Sequence, residues 1–343
     1  MANKEPRHIK DQYEDAEARR SSFMSLCREY AALTIADVLP PLNSNLDNEL
    51  PACWRNIGGV GVENMVGRIM TSLFGVPWFR VVPSAEVRSA VDRRQLTAAE
   101  YNAFVVKLAV RELLGASKFE ATNYRVAKRA AMESIVICGN SLTRIARDYN
   151  HRYYRFDQWV CKRSGSGALL WTITREAKNA LELTAEQRAK AKIKDDDEEN
   201  HDLYTRCRRI MSDNPDKPLW VIEQEIDGHI VTEAGAPYAI NPYKCVTYRL
   251  VPGEDYARGF ISTRYPDLKS VNNLWESLIF GMGNAAKCVP VVDPSDPTLR
   301  PKDLLKPNGV PIAGRVVQGV IQGFAFAQTN KGADFGVALQ GTK

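Results

Sequence analysis

"GEDYARGFISTRYPDLKSVNNLWESL", Gly253 to Leu278, places two acids, a tyrosine and an arginine directly ahead of a long apolar-patterned run. Over 267–286, Leu268, Val271, Trp275, Leu278, Met282 and Ala285 step three and four residues apart. That spacing predicts a helix with a heptad-like seam for packing on another helix. Lys269, Asn272, Asn273, Glu276, Asn284 and Lys287 fall on the reverse face. The lead-in, with Glu254, Asp255, Tyr256 and Arg258, has the residue types of an active-site loop. Adjacent carboxylates in an extended segment point to opposite faces, whereas acid–base pairs must converge across a substrate. The four histidines, at 8, 151, 201 and 229, are all remote in sequence. The loop therefore reads as architecture, its acids capping a helix or forming ion pairs.

Upstream of this stretch, 141–251 is rich in aromatic and β-branched residues and reads as strands. Gly165, Ser166 and Gly167 supply one turn, and Asp227 with Gly228 a hairpin turn. Strands are expected at "DLYTRCRRI", "LWVIEQEIDGHIV" and "YKCVTYRLV", with "AEQRAKAKIKDDDEENHD" a charged helix-to-loop segment between them. Earlier still the chain is helical. One amphipathic helix is predicted over 9–36, ended by Pro40 and Pro41, and a second from Ile57, closed by Gly75 and Pro77. "WFRVV" (78–82) reads as a short strand, 84–117 as further helix, and 119–137 as a helix ended by Gly139. Beyond the seam, "VPVVDPSDPTLRP" breaks the helix and "PNGVP" makes a turn at Asn308 and Gly309. The fold class is α+β.

The bulk numbers narrow the function. A chain of 343 residues with 44% hydrophobic and 25% charged residues is that of a folded protein. Its 46 basic and 41 acidic residues leave a net charge of +5, too balanced for a protein that coats DNA. Seven scattered cysteines without a C-x-x-C argue for reduced thiols rather than a disulfide scaffold or zinc site. The polar start and the lack of a long apolar run argue for an intracellular chain without a membrane span.

The catalytic motifs fail on context. "GMGNAA" (281–286) matches G-x-G-x-x-A but closes a helix instead of opening one after a strand. No G-x-x-x-x-G-K-[ST], G-x-S-x-G or H-E-x-x-H is present. "DDDEE" (195–199) reads as a solvated loop. Lys118, Arg125, Lys128 and Arg129 could meet phosphate, or equally form a solvated face or ion pairs. No cofactor, metal or catalytic residue is expected.

Several of these segments together resemble the head-to-tail connector, or portal, proteins of short-tailed bacteriophages (podoviruses). "WRNIGGVGVENMVGRIMTSLFGVPWFRV" is similar to that family's early helix, and "GEDYARGF" leading into "PDLKSVNNLWESL" to its E-D-Y-G-R signature. "AAKCVPVVDPSDPTLRPKDLLKPNGVPIAGR" and "GADFGVA" follow in the family's order. Ala257 stands where the family has glycine, which questions a left-handed backbone there. Family members also continue beyond this point into a long helix and a crown.

The resemblance implies a portal fold: a helical wing (1–117), a first stem helix (118–140), a β-rich clip (141–251), a second stem helix with its lead-in loop (252–289), and a C-terminal wing region (290–343). It implies a dodecameric ring of this chain with double-stranded DNA passing through it. The implied partners are major capsid and scaffolding proteins, the terminase large subunit, tail adaptor and internal core proteins. The implied place is the virion's capsid vertex, after assembly in the host cytoplasm. Lys269, Asn273, Glu276 and Lys287 would then face the channel. Leu268, Val271, Trp275, Leu278 and Met282 would pack subunits, and Glu254, Asp255, Tyr256 and Arg258 would bridge clip and stem. Two other readings stand beside it. One is a phage-encoded hydrolase using Glu254 and Asp255 with a histidine such as His229; the other is a nucleic-acid-binding protein using "RYYRF" (152–156).

Overall fold

A computed structural model describes residues 8–286 except 43, 45–49, 75–80, 83–84, 86–88, 90–96, 147–149, 195–196, 212–217 and 233–234, together with four short strands beyond. The fold is mixed helix and sheet. Helices α1 (Ile9–Arg19), α2 (Ser21–Ala32), α3 (Ile57–Phe74), α4 (Ala98–Glu120) and α5 (Tyr124–Cys138) precede the β region. Within that region run β1 (Asn140–Ile145), β2 (His151–Tyr154), β3 (Trp159–Arg163), β4 (Leu169–Asn179), α6 (Ala185–Ala191), β5 (Asn200–Ile210), β6 (Leu219–Ile226), β7 (His229–Thr232) and β8 (Tyr243–Thr247). Helix α7 (Ile261–Ala286) follows, then β9 (Val289–Val292), β10 (Val316–Val317), β11 (Val320–Ile321) and β12 (Phe324–Ala327). The chain divides into two compact units, Met1–Lys269 and Ser270–Lys343.

The first unit is built on two antiparallel sheets, ordered β2-β1-β8 and β3-β4-β5-β6-β7. Period-two alternation lets the larger sheet bury both faces. On β3, Val160 joins Ile173, Tyr204, Ile9 and Tyr13 under α1, while Trp159 and Cys161 point into the main core. That core is shared by α2, α3, the end of α5 and the smaller sheet, through Tyr30, Val62, Val66, Ile137, Leu142, Tyr154, Phe156 and Ile261.

Several boundaries differ from the sequence reading. The expected single helix over 9–36 is two, broken at Arg20, whose guanidinium donates to the Phe156 carbonyl (3.0 Å). The break re-aims the apolar stripe. Helix α1 covers the larger sheet with Ile9 and Tyr13, and α2 turns Met24, Cys27 and Tyr30 to the main core. Helix α4 runs on to Glu120, so the break before α5 falls at residues 121–123. There the Asn123 amide bonds both the N–H (2.8 Å) and the carbonyl (2.7 Å) of His151 and ties the helix start to β2.

Of "WFRVV", Val81 and Val82 form no strand and the rest lies outside the described residues, as do Gly75, Pro77 and the turn expected at Asn308 and Gly309. Strand β8 stops at Thr247 rather than running to Val251. Helix α7 starts six residues before the expected Asp267, because the apolar stripe extends back through Tyr265 to Ile261, both packed in the core. It absorbs Pro266 at the loss of one ladder hydrogen bond.

Candidate functional site

The β region leaves the helices at Asn140 and returns through the loop before α7, and the two passages cross. Gly139 ends α5 in the left-handed conformation (φ 85°), its N–H bonding the Ile135 carbonyl (3.0 Å). A β-carbon there would lie 2.5 Å from the Arg258 carbonyl carbon and the Gly259 nitrogen. One on Gly259 would lie 2.4 Å from the Ile137 oxygen. Glycine is thus needed on both strands of the crossing, for close approach, and at 139 for the sign of φ as well.

The Asn140 side chain clamps the crossing. Its Oδ1 accepts from the Ala257 N–H (2.9 Å), and its Nδ2 donates to the carbonyls of Ala257 (2.9 Å) and Cys138 (3.1 Å). Ala257 is fully buried and its φ is not positive; the left-handed residue of this loop is Gly253 (φ 85°). Alanine at 257 therefore carries no backbone strain.

The loop docks on the edge of the larger sheet. Asp255 accepts from the Arg163 N–H (2.8 Å), from Lys162 Nζ (2.9 Å) and, through its carbonyl, from Arg163 Nε (3.1 Å). The Tyr256 hydroxyl accepts from the Cys161 N–H (3.1 Å), and its ring lies among Phe23, Phe156 and Trp159. Burial holds the Tyr256 phenol well above its ordinary range. Arg20, only 3% exposed, sits over the rings of both Phe156 and Tyr256. Glu254 pairs with Arg258 (2.8 Å). Asp255 and Tyr256 thus join the loop to β3 within one chain, and Glu254 and Arg258 neutralise each other beside them.

This arrangement does not assemble a hydrolytic pair. A cavity of about 460 Å³ is lined by Glu254, Asp255, Arg19, Arg20 and Lys162, with no histidine in its wall. Asp255 is occupied by β3, at one edge of the larger sheet. His229 is on β7, at the other edge, four strand spacings or roughly 20 Å away. "RYYRF" is not a stacking platform either. Tyr154 and Phe156 are core residues, Tyr154 donates to Glu176 (2.7 Å), and Arg152 and Arg155 pair with Glu176 and Asp157.

The remaining candidates occupy α5 and α7. Lys269 is exposed and donates to Glu29 (3.2 Å) and to the Tyr265 hydroxyl (2.7 Å), and Tyr265 itself bonds Glu29. These two hydrogen bonds, Tyr265 first, hold the Glu29 carboxyl below its ordinary range. Asn273 is exposed, Glu276 half-buried, and Lys287 lies outside the described residues. Along the seam Leu268, Val271 and Trp275 are half-buried and Leu278 is buried, but Met282 is 56% exposed. On α5, Arg125 and Arg129 pair with Glu120 (2.6 Å) and Glu133 (3.1 Å). Burial lowers the Lys128 pKa. Lys118 is exposed in the last turn of α4.

Among the described residues no group of histidine, cysteine and acidic side chains is placed to hold a metal ion. Nor is any described helix long and apolar enough to cross a membrane. The sequence reading missed Asn140, Arg20 and Arg163. Only the pairing of a helix-ending glycine with an asparagine at 139–140 could have pointed to the first.

The profile of the family described as bacteriophage head to tail connecting protein matches residues 7–340. The chain belongs to this family. Proteins similar to it include the portal protein of Escherichia phage T7, 25% identical over 342 residues, covering 96% of this chain and 61% of that protein. The portal protein of Enterobacteria phage T3 is 24% identical over 330 residues, covering 93% and 59%. That of Pseudomonas phage phiKMV is 24% identical over 273 residues, covering 73% and 49%. The chain spans about three fifths of the length of the first two curated relatives.

Proposed function

We propose that this chain is the portal of a short-tailed phage: a dodecameric ring at one capsid vertex through which terminase loads the genome and through which the DNA later leaves. The observation that carries the reading is the family match along nearly the whole chain. The crossing at Gly139 and Gly259, which fixes the end of α5 against the start of α7, supports reading those two helices as a joined pair. In this reading 1–117 is wing, 118–140 and 252–289 hold the stem helices, 141–251 is the clip that meets the motor and then the tail, and 290–343 returns to the wing. Capsid and scaffolding proteins would meet the wing; tail adaptor and internal core proteins would dock at the two ends of the ring.

Lys269, Asn273, Glu276 and Lys287 are the proposed channel face. A wall that lets DNA slide must hold phosphate weakly, since every unpaired cation that neutralises a phosphate adds an electrostatic bond. The engagement of Lys269 by Glu29 and Tyr265 supports such a wall. The seam from Leu268 to Met282 is proposed to pack neighbouring subunits, and the exposure of Met282 in a single chain supports that role.

The test is particle mass and shape. Light scattering and electron microscopy of the purified chain should find closed rings with a central channel. A monomer at every concentration and salt tested would overturn the proposal. Recovery of a hydrolytic activity lost on substituting Glu254 or Asp255, with assembly intact, would favour the enzyme instead.

A further inference from the structure

His151 opens β2 and is only 4% exposed, yet its imidazole Nδ1 has no hydrogen-bond partner. The ring stands edge-on to Phe119 in the last turn of α4 (centroids 5.9 Å apart) and to Tyr124 at the start of α5 (5.2 Å). Its main chain is bonded on both sides by Asn123, which lies between the two helices. The joint of α4 and α5 is therefore closed onto one imidazole. Among the described residues of α4 none is buried, so this joint largely sets that helix's direction. A cavity of about 440 Å³, lined by His151, Asn123, Asn150, Arg152 and Tyr153, gives water and protons a route to the ring.

The surrounding charges offer an imidazolium no partner. Lys128, one turn along α5, lies over the Tyr124 ring (6.0 Å) that His151 also packs on. Arg152, the next residue of β2, pairs with Glu176 (3.0 Å). On β1 the residue opposite His151 is Ile145, and the neighbouring Arg144 lies over Tyr243 (5.6 Å). Glu120, at the end of α4, is bonded by both Nε and Nη2 of Arg125 (2.6 Å each). Burial keeps the Tyr153 phenol protonated. Among the described residues the histidines with carboxylate partners are His8 and His201, not His151.

We propose that His151 is a proton-operated latch at this joint: uncharged it closes α4 and α5 onto β2, and charging it in acid loosens them. A proton on Nδ1 would be a buried donor with nothing to bond, and the ring a buried cation near a second one. Burial first, and then Lys128, accordingly draw the imidazole pKa below its ordinary 6.5. The folded joint thus binds the proton less well than the open one. Its strength is full above 6.5, declines as pH falls through that value, and is lowest below the folded value.

Two exchange measurements on the full-length chain, in whatever assembly it forms, test the latch. Deuterium exchange at the imidazole C2 position, read by peptide mass, should give His151 a titration midpoint below 6.5. Amide exchange across 119–124 and 151–154 should be compared with that of His151→Phe, which keeps a ring but cannot be charged. The two chains should match in mild alkali, and the parent should exchange several-fold faster in mild acid. Every other titrating group is common to both chains and cancels. Lys128→Met should raise the His151 midpoint and shrink the acid opening. If His151→Phe does not fold, that variant and the midpoint in the unaltered chain still decide. A midpoint at or above 6.5, or joint exchange whose ratio between the chains does not change with pH, would overturn the proposal.

Discussion

Asn140 and Gly139 do more for this fold than their size suggests, because everything at the crossing is backbone against backbone. Replacing Asn140 by alanine leaves the buried N–H and carbonyl of Ala257 without their side-chain partner. Each orphaned group costs about 1–3 kcal/mol, so Asn140→Ala should lower unfolding stability by about 2–6 kcal/mol, read as a shift in the urea midpoint. Gly139→Ala should cost at least as much, since left-handed strain of about 1–2 kcal/mol adds to a β-carbon set against main-chain atoms at 2.5 Å. Main-chain atoms cannot step aside as a rotamer can. A Gly139→Ala variant as stable as the parent chain would show that the crossing is looser than described. Little of this was legible in the sequence. Gly139 was readable as a helix end, but its partner Gly259 lies 120 positions on, and nothing local marks two glycines as facing each other. Asn140 likewise reads as an ordinary strand residue until its partner is known.

Elements were more legible than their boundaries, for physical reasons. The strands of the β region and the seam helix announce themselves by periodicity, and both are present. The break at Arg20 does not, because the amphipathic pattern continues through it and only a tertiary contact, the Phe156 carbonyl, fixes the turn. "RYYRF" misled for the opposite reason. Aromatic residues between cations look alike whether they stack on bases or fill a core, and burial alone separates the two.

A second contact between elements is titratable. His201 on β5 bonds Asp227 in the β6–β7 turn (2.7 Å) and faces Asp197 (3.4 Å). The hydrogen bond to Asp227, aided by both negative charges, raises its pKa above the ordinary 6.5. A raised folded value means that the stabilisation is fully present below 6.5 and is lost as pH rises through the folded value. The stability difference between the parent chain and His201→Gln should therefore be largest in mild acid and shrink towards alkaline pH. Equal urea-midpoint differences on both sides of 6.5 would count against this contact.

At the scale of the whole molecule, 46 basic residues are nearly balanced by 41 acidic ones, and many of the cations are also paired where they stand. Arg125, Arg129, Arg152, Arg155, Lys162, Arg258 and Lys269 all have carboxylate partners. If α7 lines a channel, adding unpaired cations to it should act as a brake. Asn273→Lys is at an exposed position, so the thermal midpoint should not move. DNA affinity of the assembled ring should become more salt-dependent, by about 0.9 in log–log slope per added phosphate contact. DNA loading into capsids should slow. An unchanged salt slope together with unchanged loading would place α7 away from the DNA.

The crossing also sets how freely this fold can diverge. Because the β region begins at Asn140 and ends at Ala257 with those two residues hydrogen-bonded, it is a loop whose ends are already joined. The entropy of closing such a loop grows only with the logarithm of its length, about 0.6 kcal/mol per doubling. Loops between those two residues can therefore change length at little cost, as long as the strands that pack against α1 and fill the main core are kept. In the proposed portal, such loops are where a docking surface for the tail would vary from one relative to the next.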